Sequence, residues 1–274
     1  MKRVSIIVGT HERKKALIKL LKSFNNLDYS KKYYEVIIVD SSLKKLDKKY
    51  HKFCDKYIHK PDIKEVSKKK NIGIKKAKGE ILIFTDDDTK VDKNWIKSYL
   101  SCFNNTDSGV CTGKVINLPR DAEFNKYYKY NLGDKEKTFY PKLIIFPWKI
   151  GHGNNFAFKK QVFDKIGLFD KNFGPGSKAL PDDSDLIYRA LRAGFSITYC
   201  PKALVYHYIG ERNIKKDAYI YGWGGYSFFK KYPIGFLIPY IVSIISLIRK
   251  IILSDRDKRK IWITSLKGWL GFKK

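Results

Sequence analysis

The chain has 274 residues, 43% of them hydrophobic and 15% aromatic, with 56 Lys plus Arg against 27 Asp plus Glu and a formal charge of +29. So much apolar and aromatic content excludes a disordered chain of comparable charge, and the length suits one large domain or a domain with an appendage. The cationic excess favours anionic partners such as nucleic acid, anionic lipid or phosphorylated substrates, but the lysines run along nearly the whole chain, which fits a solvated basic surface equally well.

At the N-terminus, Val4 to Val8 is a β-branched run closed by Gly9. The apolar stretch of MKRVSIIVGT is too short for a signal peptide, so a cytoplasmic start is expected and no targeting segment is visible. Ala16, Leu17, Leu20, Leu21 and Phe24 then recur at helical spacing. Glu35 to Val39 reads as a second strand that stops at Asp40. Lys68 to Lys78 is a basic helix-like stretch leading through Gly79 into a strand from Ile81 to Phe84. Strands alternating with helices predict a mainly parallel sheet with helices on both faces, in which ligands bind at the carboxyl ends of the strands. Thr10, Asp40 and Asp86 to Asp88 all fall at such ends.

Beyond about residue 110 the pattern loosens into Gly-, Pro- and Asn-bearing loops, FPWKIGHGNNFAFKK and FDKNFGPGSKALPDDSD. A helix is predicted from Asp183, with Leu186, Ile187, Ala190 and Leu191 as its apolar stripe and Gly194 as its stop, then a strand through Ile197 and Tyr199. Cys54, Cys102, Cys111 and Cys200 show no metal-type spacing and read as reduced structural thiols. Near the C-terminus, Pro233 to Ile248 carries no charge over sixteen residues. As helix that is about 24 Å, short of a hydrocarbon core of about 30 Å. Basic flanks and the amphipathic tail IWITSLKGWLGFKK favour interfacial or re-entrant membrane attachment.

The residues with the clearest chemistry are acidic. Asp86, Asp87 and Asp88 follow a buried strand, and like charges are tolerated there if a cation sits among them. Magnesium or manganese takes carboxylate oxygens and completes its shell with water and substrate phosphate. An acidic turn capping the next helix is the plainer alternative. A second cluster, PDDSD, opens the later helix, where the helix dipole also favours acids.

The collinear segments VSIIVGTHER, EVIIVDSS, KKKNIGIKKAKGEILIFTDDD, GNNFAF, FGPGSKALPDDSDLIYRALRAGF and PKALVYH resemble the family 2 glycosyltransferases, which have the GT-A fold, over nearly all of residues 1 to 212. The resemblance implies inverting transfer of a sugar from a nucleotide-sugar donor to an acceptor hydroxyl, with Mn2+ or Mg2+ on the diphosphate. It assigns Thr10, Glu12, Arg13, Asp40, Lys70, Asn71, Asp86 and Asp87 to the nucleotide, and Asp88, Asp86 and His207 to the metal. It makes Asp183 or Asp182 the general base, the choice left open because Asp182 stands for the usual Glu and Pro181 also departs from the pattern. Lys70 stands where Arg is common, keeping the charge without the bidentate fork. Trp148, Asn154 and Asn155 are expected on the acceptor side.

The expected layout is a nucleotide-sugar-binding half (1–110), an acceptor-binding half (111–215) and a helical, membrane-associating segment (216–274) at the cytoplasmic face of the membrane. The donor prior is a UDP-sugar and the acceptor a glycan or lipid-linked glycan of the cell surface. A metal-dependent nucleotidyltransferase is the alternative, but VGTHERKK has a single glycine and makes a poor phosphate loop. A basic nucleic-acid-binding protein is disfavoured by the absence of any helix-turn-helix, RRM, KH or zinc-finger signature, so no nucleic acid is expected.

Overall fold

The computed structural model describes residues 3–119, 132–142 and 144–272. Four aliphatic runs make the first half of the sheet: β1 (Val4–Thr10), β2 (Tyr34–Asp40), β3 (Lys56–His59) and β4 (Ile81–Thr85). They are parallel, in the order β3-β2-β1-β4. Successive side chains of a strand point to opposite faces. Val4, Ile6 and Val8 therefore pack with Leu17 and Leu20 of α1 (Lys14–Phe24), and Ile7 packs on the other face with Ile74 of α2 (Val66–Lys76). The chain winds outward through β2 and β3, then returns to place β4 on the far side of β1. That reversal opens a crevice at the carboxyl ends of β1 and β4, where Thr10 and the three aspartates stand.

The second half is mixed. β5 (Thr89–Val91), β6 (Val110–Leu118), β7 (Lys137–Phe139), β8 (Asn155–Lys159) and β9 (Ile197–Tyr208) continue the order as β4-β8-β6-β9-β5, with β7 also on β9. β8 is antiparallel to both β4 and β6, so the expected mainly parallel sheet is parallel only over its nucleotide-side half and along β6 and β9. α3 (Trp95–Asn105) covers the α1 face, and α4 (Gln161–Ile166) and α5 (Asp182–Arg192) cover the α2 face.

Three helices close the chain: α6 (Ile214–Lys231), α7 (Pro233–Leu253) and α8 (Arg256–Trp269). They are fastened to the sheet domain. Asp185 of α5, fully buried, accepts hydrogen bonds from Lys231 Nζ at 2.6 Å and Tyr232 Oη at 2.7 Å. α7 runs past the sixteen uncharged residues through Arg249 and Lys250 to a length of 21 residues, which as helix is about 32 Å. Among the described residues it is the one helix long and apolar enough to cross a membrane, and only 17% of its most apolar window is buried.

α6 and α8 cross at glycines. A Cβ on Gly222 would stand 2.2 Å from Ser265 O and 3.0 Å from Trp269 N, and backbone cannot step aside as a side chain can. Gly222→Ala is expected to cost about 1–3 kcal/mol by forcing the helices apart, read as a lower urea midpoint at unchanged m-value.

Candidate active site

The loops after β1 and β2 are stitched together by side-chain hydrogen bonds. Thr10 Oγ1 donates to Asp87 Oδ2 at 2.6 Å, and the Glu12 carboxylate accepts from Leu43 N at 2.6 Å while its own N–H donates to Ser42 Oγ. Glu12 holds φ of +54°, a left-handed conformation that costs a non-glycine residue energy and is sustained by those two bonds. Asp40 is 3% exposed; Oδ1 accepts from Ser42 N at 2.8 Å in an Asx turn, and Oδ2 from Tyr57 Oη at 2.6 Å. Lys69, 1% exposed, reaches from α2 to Thr10 O at 3.0 Å and Ser41 Oγ at 2.9 Å, tying both strand ends to one ammonium. Sequence reading passed over Lys69 because within Lys68-Lys69-Lys70 composition distinguishes none of the three.

The three aspartates after β4 face different neighbours. Asp87 lies beneath Arg13 and Thr10, and burial pushes its carboxyl up to about 6 despite them. Asp88 receives Arg13 Nη1 on Oδ2 at 2.7 Å. Its other oxygen, Oδ1, is buried and accepts no hydrogen bond, although His207 Nε2 stands 3.5 Å away. Burial acts to raise Asp88, but His207 and Arg13 outweigh it and hold the carboxyl below its usual range. His207 arrives on β9, whose register sets it opposite Thr89, and its Nδ1 lies 3.0 Å from Asn117 Oδ1. Burial raises Asp86, which lies among Lys70, Asp88, His207 and Asp182.

Across this cleft, Lys70 Nζ donates to Asp182 Oδ2 at 3.0 Å, both side chains buried. The same ammonium feels Asp86 and Asp183, so the two acidic clusters meet around one lysine. Asp183, the next residue, has no such pairing. Its Oδ2 accepts from Gly153 N at 2.9 Å and its Oδ1 from Ser184 N at 2.6 Å. Burial, then the neighbouring Asp182, push it up to about 6. Gly153 fits so closely that a Cβ there would touch the Asp183 Cβ at 3.0 Å.

Three expected contacts are spent elsewhere. Asn71 exchanges hydrogen bonds with the Phe169 backbone in both directions at 2.9 Å, clipping the loop between α4 and α5 to α2. Asn155, fully buried, accepts from Trp95 Nε1 and Tyr99 Oη and donates to Lys114 O and Ala203 O, which leaves it nothing to offer a sugar. Trp148 meets Phe236 and Trp269 edge-on, at ring separations of 5.3 and 6.1 Å, and joins its loop to the C-terminal helices. These corrections share a cause: a buried amide, on α2 for Asn71 and on β8 for Asn155, costs least when its hydrogen bonds are satisfied internally, and the Trp148 ring likewise packs on its own chain. Asn154 differs, because its buried Oδ1 has no hydrogen-bond partner. Sequence reading also missed His152, held neutral by burial with its pKa pushed down to about 4 beside His207, and Tyr221 of α6, which lies in the field of Asp183.

The residues present suit a hard divalent cation. Asp86, Asp87, Asp88, Asp182 and Asp183 outnumber Arg13, Lys69 and Lys70 among them, and the Asp88 Oδ1 beside His207 Nε2, which accepts no hydrogen bond, is the kind of acceptor such an ion takes up. Convergence is incomplete. Among the described residues, the one trio of His, Cys, Asp or Glu ligand atoms mutually within 4.8 Å is Cys102, Glu136 and Cys200, whose cysteines belong to the core on the α3 face.

The sequence profile of Glycosyl transferase family 2 matches residues 5–167, more than half of the chain, and the chain belongs to that family. It is 26% identical over 223 residues to the probable glycosyltransferase YdaM of Bacillus subtilis, covering 74% of this chain and 50% of that protein. It is 25% identical over 206 residues to the glucosyl-dolichyl phosphate glucuronosyltransferase of Haloferax volcanii, covering 70% of this chain and 65% of that one. The chain thus spans half of the first relative and less than two thirds of the second. Among solved structures it is similar to the mannosyltransferase PcManGT from Pyrobaculum calidifontis in complex with GDP-Man and Mn2+ (TM-score 0.66, 16% identity, 99% of this chain and 88% of that one). It is also similar to S. aureus TarS 1-349 in complex with UDP-GlcNAc (TM-score 0.65, 18% identity, 99% and 73%). The fold is the GT-A fold.

Two outcomes follow. Lys70→Met strands Asp182 in a buried site and is expected to cost about 3–5 kcal/mol, while Lys70→Met combined with Asp182→Leu costs less than the single change. Urea denaturation of the single and double variants beside the unaltered chain checks it. Asn155→Ala leaves Trp95 and Tyr99 donors and two carbonyls unpaired and is expected to lose at least about 3 kcal/mol, while nucleotide affinity of the folded fraction, measured by calorimetry, stays unchanged.

Proposed function

We propose that the chain transfers a sugar, with inversion at the anomeric carbon, from a nucleotide-sugar to an acceptor hydroxyl on a lipid-linked or growing cell-surface glycan, working at the cytoplasmic face of a membrane. The observation that carries this reading is the pair of acidic clusters facing each other across Lys70, one with an unpartnered carboxylate oxygen and the other with a carboxyl raised to about 6. The relatives act on or bind UDP-GlcNAc, GDP-Man and dolichyl phosphate sugars by their names, which supports a nucleotide-sugar donor and keeps a UDP-sugar as the prior.

In this reading Asp183 is the general base. Asp182 is committed to Lys70, whereas Asp183 is held in place by two backbone N–H groups and retains lone pairs for an incoming hydroxyl. A carboxylate so raised takes the acceptor proton more readily than one at its usual value, and such catalysis is worth about a hundredfold to ten thousandfold. One displacement from the face opposite the leaving group gives inversion. Lys70, with charge spread between Asp182 and Asp86, lies where the diphosphate leaves, while Thr10, Arg13 and Asp40 border the nucleotide. Mn2+ or Mg2+ would be held by Asp88 and His207 with Asp86 beside them, and when bound it stabilises the negative charge of the departing diphosphate. Asn154 is the acceptor-side residue left with a vacant hydrogen-bond position.

The test is a panel of nucleotide-sugars assayed for released nucleoside diphosphate. Asp183→Asn is expected to lower kcat by about a hundredfold or more while leaving donor affinity intact. Asp182→Asn keeping normal kcat, with Asp183→Asn fully active, would remove the base assignment, and release of pyrophosphate would favour the nucleotidyltransferase. Because Asp183 must be ionised to accept a proton, kcat/KM is expected to fall tenfold per pH unit below about 6 and to level off above it.

A further inference from the structure

Away from the cleft, a groove of about 830 Å³ opens between the second half of α5 and the first turns of α7. Its apolar walls include Tyr188, Pro233 and Pro239, and Ile234 and Ile238 form a lip that is 94% and 49% exposed. Gly235 lets the two helices close here, since a Cβ on it would lie 2.1 Å from the Tyr188 hydroxyl. The rim carries Lys165, Arg189 and Arg192. Arg189 is committed inward, to Asp185 and to the carbonyls of Ile166, Gly167 and Leu168. Lys165 and Arg192 are exposed and, among the described residues, neither has a carboxylate within ion-pair distance.

The groove is continuous with a longer feature. Ile238, Ile241, Ile245, Ile248 and Ile252 follow one another at three- and four-residue steps, all exposed, along the face of α7 turned away from the protein. α8 lies antiparallel along the other side, pinned by Lys250 Nζ over the Trp262 ring at 4.3 Å and by Tyr240 Oη on Trp269 O. If α7 crossed a bilayer, α8, running back antiparallel beside it, would bring Lys267 into the hydrocarbon, at about 3 kcal/mol near its centre. Lying flat, α7 puts the isoleucine stripe in the acyl region and leaves every cation at headgroup level.

We propose that the groove seats the phosphate headgroup of an anionic phospholipid, gripped by Lys165 and Arg192, in the leaflet on which α7 lies. The inference rests on the reading that the chain works at a membrane surface. Charge complementarity selects the occupant: two exposed cations with no ion-pair partner among the described residues, Lys165 resting over the Phe195 ring, stand at the end of an apolar groove on a chain of formal charge +29 and match an amphiphile with an anionic head.

The experiment is vesicle flotation of the full chain with phosphatidylcholine alone or mixed with phosphatidylglycerol, each variant's folding being checked by circular dichroism. Arg192→Glu and Lys165→Glu are each expected to weaken binding to the anionic vesicles by at least about fivefold without changing binding to phosphatidylcholine. Lys22→Glu, the same charge change on α1 across the sheet, is expected to do markedly less, and Ile245→Asp to abolish binding to both. Equal effects of Arg192→Glu and Lys22→Glu would overturn the seat while leaving membrane attachment standing. Binding of inorganic phosphate alone with the same Arg192 dependence and no vesicle preference would replace the lipid by a free anion. Failure of the unaltered chain to bind either vesicle would remove the membrane reading and the seat with it.

Discussion

Five carboxylates in one partly dry cleft are the constraint around which this protein is built. Asp86, Asp87, Asp88, Asp182 and Asp183 repel one another, and Arg13, Lys69 and Lys70 do not neutralise them fully. The remaining strain appears as carboxyls raised by burial at Asp86, Asp87 and Asp183. Each lysine does structural work at the same time. Lys69 joins the ends of β1 and β2, and Lys70 joins α2 to the N-terminus of α5. A cation and a polyanion bound together in such a cleft would each relieve the field that the other otherwise opposes.

The sheet explains why these groups meet. The winding reversal between β1 and β4 opens the crevice, β8 runs antiparallel beside β4, and β9 brings His207 to Asp88 through its pairing with β5. Asn155 is the bolt of this arrangement, linking α3, β6 and β9 from a position on β8. On the other side, Asp185 ties α5, the helix that carries Asp183, to Lys231 and Tyr232, and so to the helices with the apolar face. If the apolar face of α7 rests on a bilayer, as proposed above, this tie fixes the height of the cleft above it.

Much of this was legible in the sequence, for reasons that differ by element. β1, β2 and β4 announce themselves as aliphatic runs buried on both faces, and TDDD at the end of one marks the crevice without any coordinates. The helix predicted from Asp183 begins at Asp182 and ends where Gly194 predicts. What was illegible depends on partners remote in sequence. Nothing local distinguishes Lys69 from Lys68, or shows that Asn155 answers to Trp95 and Tyr99, or that Trp148 packs on Phe236 and Trp269. The antiparallel course of β8 is hidden for the same reason, since an apolar strand buried on both faces reads alike in either direction. α7 continues past its uncharged run because the Arg249 and Lys250 side chains reach solvent and the Trp262 ring without breaking the helix.

The central claim is that the orphaned oxygen of Asp88 exists to hold a divalent cation against a diphosphate. The most direct measurement is thermal stability with UDP and GDP, each with and without Mn2+, for the unaltered chain and for Asp88→Ala. A diphosphate present at a hundred times its dissociation constant stabilises by about 2.7 kcal/mol, and the account predicts that one diphosphate does so only with metal and not in Asp88→Ala. Equal stabilisation without metal, or an undiminished response in Asp88→Ala, would contradict it.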